Sequence, residues 1–106
     1  MIFKGDEAKF SINLTAPGFS MDTDDFDIEV VSTIGGSLKG SKGGTGTDVI
    51  IFNEDEAWYA IVNTEKELRP GGSLKVIATA YVPDAHADDG IRKQIATAVL
   101  DKFIEP

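Results

Sequence analysis

The chain contains no cysteine. That excludes a disulfide framework and any thiolate metal site. It does not fix a compartment, because exported β domains also do without cysteine. There is one histidine, so any Ser-His-Asp relay would have to be built on His86 alone. Basic residues are scarce: 10 Lys and Arg stand against 18 Asp and Glu, for a net charge of −8. Nucleic-acid affinity rests mainly on neutralising phosphates, so this balance excludes nucleic acid as an expected partner, and an anionic membrane with it. What the charge does supply is solubility. No apolar run approaches the roughly 20 residues of a membrane span. Met1–Asp6 has neither the apolar stretch nor the small-residue cleavage site of a signal peptide.

What is present is alternation with period two. The longest example is Ser73–Val82, opened by Pro70-Gly71-Gly72 and closed by Pro83. Leu74, Val76, Ala78, Ala80 and Val82 share one face; Ser73, Lys75, Ile77, Thr79 and Tyr81 share the other. This predicts a long antiparallel strand with one side on a core. Ala8–Leu14 alternates in the same way, as does Phe26–Val31, where Phe26, Ile28 and Val30 oppose Asp27 and Glu29. Val49–Phe52 is continuously apolar and predicts a strand covered on both sides. Asn53–Glu56 is a polar turn, and Trp58–Val62 completes a hairpin.

The connections are less regular. The glycine-rich stretch 35–46 predicts a mobile loop or a frayed edge hairpin around Ser37–Ser41. Thr64-Glu65-Lys66-Glu67 has the pattern of a capping box and predicts a single helical turn. The segment Ile95–Ile104 fits both a helical stripe, through Ile95, Val99, Leu100, Phe103 and Ile104, and a strand. The expectation is one domain spanning 1–106. It is all-β, an immunoglobulin-like antiparallel sandwich of about six or seven strands, with residues 92–104 either strand or helix. A chain of this length buries roughly two-thirds of its unfolded surface, enough for a core without staples.

No residue set assembles a catalytic, cofactor or metal site by pattern. Asp22, Asp24, Asp25 and Asp27 offer hard oxygen ligands for calcium. Phe26 interrupts the ligand alternation of an EF-hand loop, and its turn glycine and final glutamate are missing. A solvated turn guarding the next strand is the simpler expectation. Asp84, His86, Asp88 and Asp89 crowd one loop, but the spacing matches no closed metal site. Gly35 and Gly40 have the first spacing of a phosphate loop, yet Ser41 stands where lysine is required. The serines lack a Gly-x-Ser-x-Gly elbow. Trp58 and Tyr59 adjoin on one strand and must point to opposite faces, one to the core and one outward, where an aromatic can stack on a sugar or a partner. Asn13-Leu14-Thr15 is a glycosylation sequon by pattern only.

Several segments together carry a family likeness. They are Ala16-Pro17-Gly18-Phe19-Ser20-Met21 leading into Asp24-Asp25-Phe26, then Leu68-Arg69-Pro70-Gly71, and Ala80-Tyr81-Val82-Pro83-Asp84 with Asp89-Gly90-Ile91-Arg92. The ensemble resembles small prophage-encoded proteins of Bacteroides-like bacteria and the immunoglobulin-like N-terminal modules of phage baseplate and tail-fibre proteins. The resemblance implies a virion structural part with no active site and carries no functional residues across.

The expectation for function is therefore a non-enzymatic assembly module of a phage or prophage particle, placed in the virion or in the host cytoplasm during assembly. Its partners would be protein: further copies of itself or another virion chain. No cofactor and no small-molecule substrate are expected. Apolar residues on both sides of the strands would supply the surface: Ile50 and Phe52 opposite Val49 and Ile51, and Ile61 opposite Ala60 and Val62. Ile61 and Ile77 are the positions where an introduced charge would break such a contact, if they are exposed. The alternative is a cell-surface module that binds glycan or protein through loops 35–46 and 84–91.

Overall fold

A computed structural model of the chain describes residues 1–44 and 48–106. Eight strands and no helix are found among them: β1 (Ile2–Phe3), β2 (Glu7–Ile12), β3 (Phe26–Ser32), β4 (Ser37–Ser41), β5 (Val49–Glu54), β6 (Ala57–Asn63), β7 (Gly72–Pro83) and β8 (Ile91–Ile104). They form two layers. One sheet has five strands in the order β1-β8-β7-β3-β4, and the other has three in the order β2-β6-β5. All pairs are antiparallel except β1 with β8, which is parallel and short, joining Ile2 to Phe103 and Phe3 to Ile104. The expected all-β sandwich is thus found, with two refinements. One pair is parallel, and the ambiguous C-terminal segment is a strand paired with β7 from Ile91 to Phe103, with Leu100 bulged out of the ladder.

The alternating residues build the core as period two requires. Phe26, Ile28 and Val30 on β3 are fully buried, as are Leu74 on β7, Val49 on β5, and Ala60 and Val62 on β6. Each large side chain of this kind contributes roughly 1.5–3 kcal/mol by leaving water. Trp58 meets Phe26 edge-on across the sandwich, with ring centroids 5.6 Å apart. Tyr59 points the other way and stacks on Phe52 at 5.8 Å. The hairpin between β5 and β6 turns on Asp55 and Glu56, whose φ angles of 52° and 65° are the left-handed conformation of a two-residue turn that fits the right-handed twist of the flanking strands.

One open expectation is resolved and two are corrected. Of the two readings of the glycine-rich stretch, the edge hairpin is found: Ser37–Ser41 is an edge strand paired with β3, and Leu38 ties it to the core; positions 45 and 46 of the stretch lie outside the described residues. β5 is the outer strand of its sheet, so Ile50 is 57% exposed and the strand is not covered on both sides. Residues 64–67 form turns without a helix. Thr64 is fully buried there; its hydroxyl donates to the Asp6 carbonyl at 2.7 Å and accepts from the Gly5 amide at 2.9 Å. A side chain held this way by another segment is not free to cap a helix.

That same contact pins the chain where it crosses from β1 in one sheet to β2 in the other. Lys4, just before the crossing, points its ammonium at the carbonyls of Thr64, Glu65, Lys66 and Leu68, at 2.9–3.3 Å. The Met1 amine pairs with Asp101 on β8. Together these anchor the N-terminus to the last residues of β8 and to the turn after β6.

The two sides of the sandwich differ. On one side β4 closes on β5. A Cβ on Gly40 would lie 2.1 Å from the Val49 carbonyl oxygen, so the two sheets meet there through bare backbone. Gly40→Ala must therefore push β4 and β5 apart. The expected loss of stability is about 2 kcal/mol, in the range of overpacked sites. Urea unfolding checks it, and an unchanged midpoint would count against the close contact.

Candidate functional site

On the other side the sandwich is open. Three strands face five, and β2 does not reach over β8. The register shows this directly. Ala96 pairs with Ala78 and Ala98 with Val76, and partners directly opposite across a ladder share a face. Ala78 is buried, so Ala96 and Ala98 also point inward, yet both are exposed. Between them and β2 lies a groove of about 370 Å³, walled by Phe10, Ile12 and Leu14 on one side and floored by Ile28 and Ala78.

The edge of β8 itself is unpaired along most of its length. β1 covers only Phe103 and Ile104. Alternate residues of an outer strand aim their N–H and C=O groups away from its neighbour. From Ile91 to Val99 no strand among the described residues receives them. The outer face of this stretch carries an apolar stripe, interrupted by Lys93 and Thr97. Ile91, Ile95 and Val99 are 46, 65 and 68% exposed, and they repeat every fourth residue. A shift in the β7–β8 register between Leu74 and Lys75 leaves Leu100 as an extra residue, so the flat part of the edge ends at Val99. Arg92 and Lys93 guard its start. Arg92 is engaged by Asp84 at 3.3 Å and by Gln94 at 2.8 Å, and the Lys93 ammonium lies 5.9 Å from the Tyr81 ring centre.

The sequence singled out neither β8 nor the groove. An edge is a property of the assembled sheet; the stripe at 91, 95 and 99 was the only local signal, and it fits helix and strand alike. The expected surfaces fare unevenly. Ile50 is exposed, but Val49, Ala60 and Val62 are core, and Ile61 and Ile77 are half-buried. Both lie on outer faces away from the core cluster, so a charge at Ile61 or Ile77 tests a half-covered outer surface.

Several acids of the two candidate ion sites accept hydrogen bonds from the protein's own groups. Asp22 accepts the Trp58 indole N–H at 2.9 Å, and Asp24 accepts the Ser20 amide at 2.8 Å. The Lys42 ammonium donates to the Met21 and Asp24 carbonyls at 2.7 and 2.8 Å and lies 5.2 Å from the Trp58 ring centre. The Lys42 ammonium is thus held by main-chain oxygens of the segment that carries these acids. In the loop after β7, the His86 amide and then the Arg92 side chain hold Asp84 below its usual carboxylate pKa. His86 Nδ1 lies 3.4 Å from the Asp84 carboxylate but the ring stays 98% exposed, and Asp89 is turned to accept the Ile91 amide, so Asp84 and His86 come together without the other two. Among the described residues no group of three or more His, Asp or Glu is placed to share a metal ion. Gly35 and Gly40 lie at and beside the β3–β4 hairpin, with no helix N-terminus to bind phosphate. No helix of the described chain is long and apolar enough to cross a membrane. The outward Tyr59 and its neighbour Phe52 lie under the Lys9 ammonium, at 4.7 and 5.3 Å from the ring centres. That cation occupies the face a stacked sugar would use.

One titration follows from this geometry. Asp27 accepts the Tyr81 hydroxyl at 2.5 Å. That bond, then desolvation, then the negative charge of Asp27 raise the phenol's pKa above its ordinary 10.0. A raised folded-state pKa means that the stabilisation is complete at neutral pH and is lost as the pH climbs through the raised value. Asp27→Asn brings Tyr81 back toward its ordinary titration, measured by ultraviolet absorbance in alkaline buffer. Identical curves for the two proteins would refute the link. A comparison with family models, curated proteins and solved structures finds no match to this chain.

Proposed function

We propose that this chain is a non-enzymatic assembly module, working by protein–protein contact within a phage or prophage particle as part of a tail, baseplate or fibre. One observation carries the contact: the unpaired edge of β8 from Ile91 to Val99, with its exposed stripe of Ile91, Ile95 and Val99. Soluble proteins normally protect such an edge with proline, a bulge or charge. Among the described residues its guards are Arg92 and Lys93 toward one end and the irregularity at Leu100 at the other. An open edge of this kind suits pairing with another chain, where main-chain hydrogen bonds give strength and alternate side chains give selectivity. The likeness of the Ala16–Phe26, Leu68–Gly71 and Ala80–Arg92 segments to phage modules supplies the setting. In this reading the partners are protein, and the chain resides in the virion or in the host cytoplasm while particles assemble.

The test is made on particles. Induced lysates are fractionated on a density gradient, and purified particles are digested for mass spectrometry. Peptides of this chain should follow the tail or baseplate fraction at a fixed ratio to other structural proteins. Particles without it, from a strain that expresses the chain, would remove the phage assignment. Tail, head or integrase genes beside its own gene should accompany the positive result.

A further inference from the structure

We infer that the β8 edge pairs with the same edge of a second copy, antiparallel and centred on Ile95, which joins two five-stranded sheets into one continuous sheet. The inference rests on the assembly reading above and names its partner. Its warrant is the symmetry of the edge. A two-fold contact requires that residue i meets j and that j meets i. Centring on Ile95 sets Ile95 against itself, Ile91 against Val99, and Lys93 against Thr97. All three exposed apolar side chains then find apolar partners on the outer face. On the inner face Gln94 meets Ala96, and Arg92 meets Ala98.

The limits of the edge agree with this register. The flat stretch runs from Ile91 to Val99, with Ile95 at its middle. β1 occupies the sheet position beyond it, and the extra residue Leu100 ends the regular ladder. A centre moved toward Leu100 would run the partner into β1.

Charge sets the second condition. A net charge of −8 opposes self-association. However, no aspartate or glutamate lies between Ile91 and Leu100. Arg92 is already paired with Asp84 at 3.3 Å. The two Lys93 side chains would be offset by four residues along the seam, about 13 Å at strand rise, which exceeds the Debye length of about 8 Å at physiological salt. No like charges face each other, so the repulsion between copies is general and the seam carries none of it.

The absence of cysteine makes the test clean. In the proposed register only position 95 sits opposite its own copy, at a spacing that a disulfide spans. Sedimentation of the wild type should give about twice the chain mass of 11.4 kDa. Ile95→Cys should form a covalent dimer on mild oxidation. Ile91→Cys and Ile50→Cys, each alone, should not, whereas Ile91→Cys mixed with Val99→Cys should cross-link as a heteropair. Ile95→Lys should weaken the dimer roughly tenfold or more, since like charges would meet directly, while circular dichroism shows the strands intact. A folded monomer at every concentration overturns the inference, as does a dimer that Ile95→Cys fails to link. If that monomer is still found in purified particles, the assembly reading survives and β8, or the groove beside β2, receives a different chain. If it is absent from them, the phage reading falls as well.

Discussion

The crossing at Lys4–Asp6 is the constraint on which the shape of this molecule turns. The chain leaves the larger sheet and enters the smaller one within a few residues. It is held there by the Thr64 hydroxyl and by the Lys4 ammonium among four carbonyls. Because β1 ends where this clasp begins, it covers only the last two paired residues of β8. Because β2 starts on the other sheet, it becomes that sheet's outer strand. In the immunoglobulin arrangement a strand A lies beside B to complete the A-B-E-D sheet. Here β2, β6 and β5 take the places of B, E and D. The strand that would take the place of A is spent on β8. The open groove and the bare edge are two results of one short crossing.

The opposite flank shows what closure requires. Gly40 lets the β4 backbone approach Val49 so closely that a methyl group would not fit. Nothing comparable draws β2 toward β8. Inward positions on β8 are occupied by Ala96 and Ala98, too small to reach across the gap, and the residues facing them are Phe10, Ile12 and Leu14. The sandwich is tight along one flank and loose along the other, and the loose flank is where recognition has room to act.

Much of the fold was legible in the sequence. Phe26, Ile28 and Val30, and Leu74, Ala78, Ala80 and Val82, alternate with polar neighbours, and each is buried as that pattern requires. Trp58 and Tyr59 point apart as adjacent strand residues must. The last strand was ambiguous for a physical reason: β8 carries apolar residues on an exposed face at intervals of four, which mimics a helix. Only its pairing with β7 decides between them. The crossing was invisible because Ile2 and Phe3 are too few to show a period. The contact of the Lys42 ammonium with the Met21 and Asp24 carbonyls was invisible too, since Lys42 lies well beyond that segment in sequence and meets it only through the β3–β4 hairpin. Edges, grooves and such contacts are relations between segments, and alternation speaks only of one segment at a time.

The indole of Trp58 gives the molecule an internal gauge. It is the only tryptophan. It sits on the smaller sheet against Phe26 of the larger, with the Asp22 carboxylate on its N–H and the Lys42 ammonium near its face. Emission from this ring depends on how the two layers lie against each other, because these neighbours belong to the opposite layer and to the segments before β3 and after β4. Separation of the layers would shift that light before the ladders within either sheet had come apart. The order in which this sandwich disassembles can therefore be followed in the unlabelled wild-type chain.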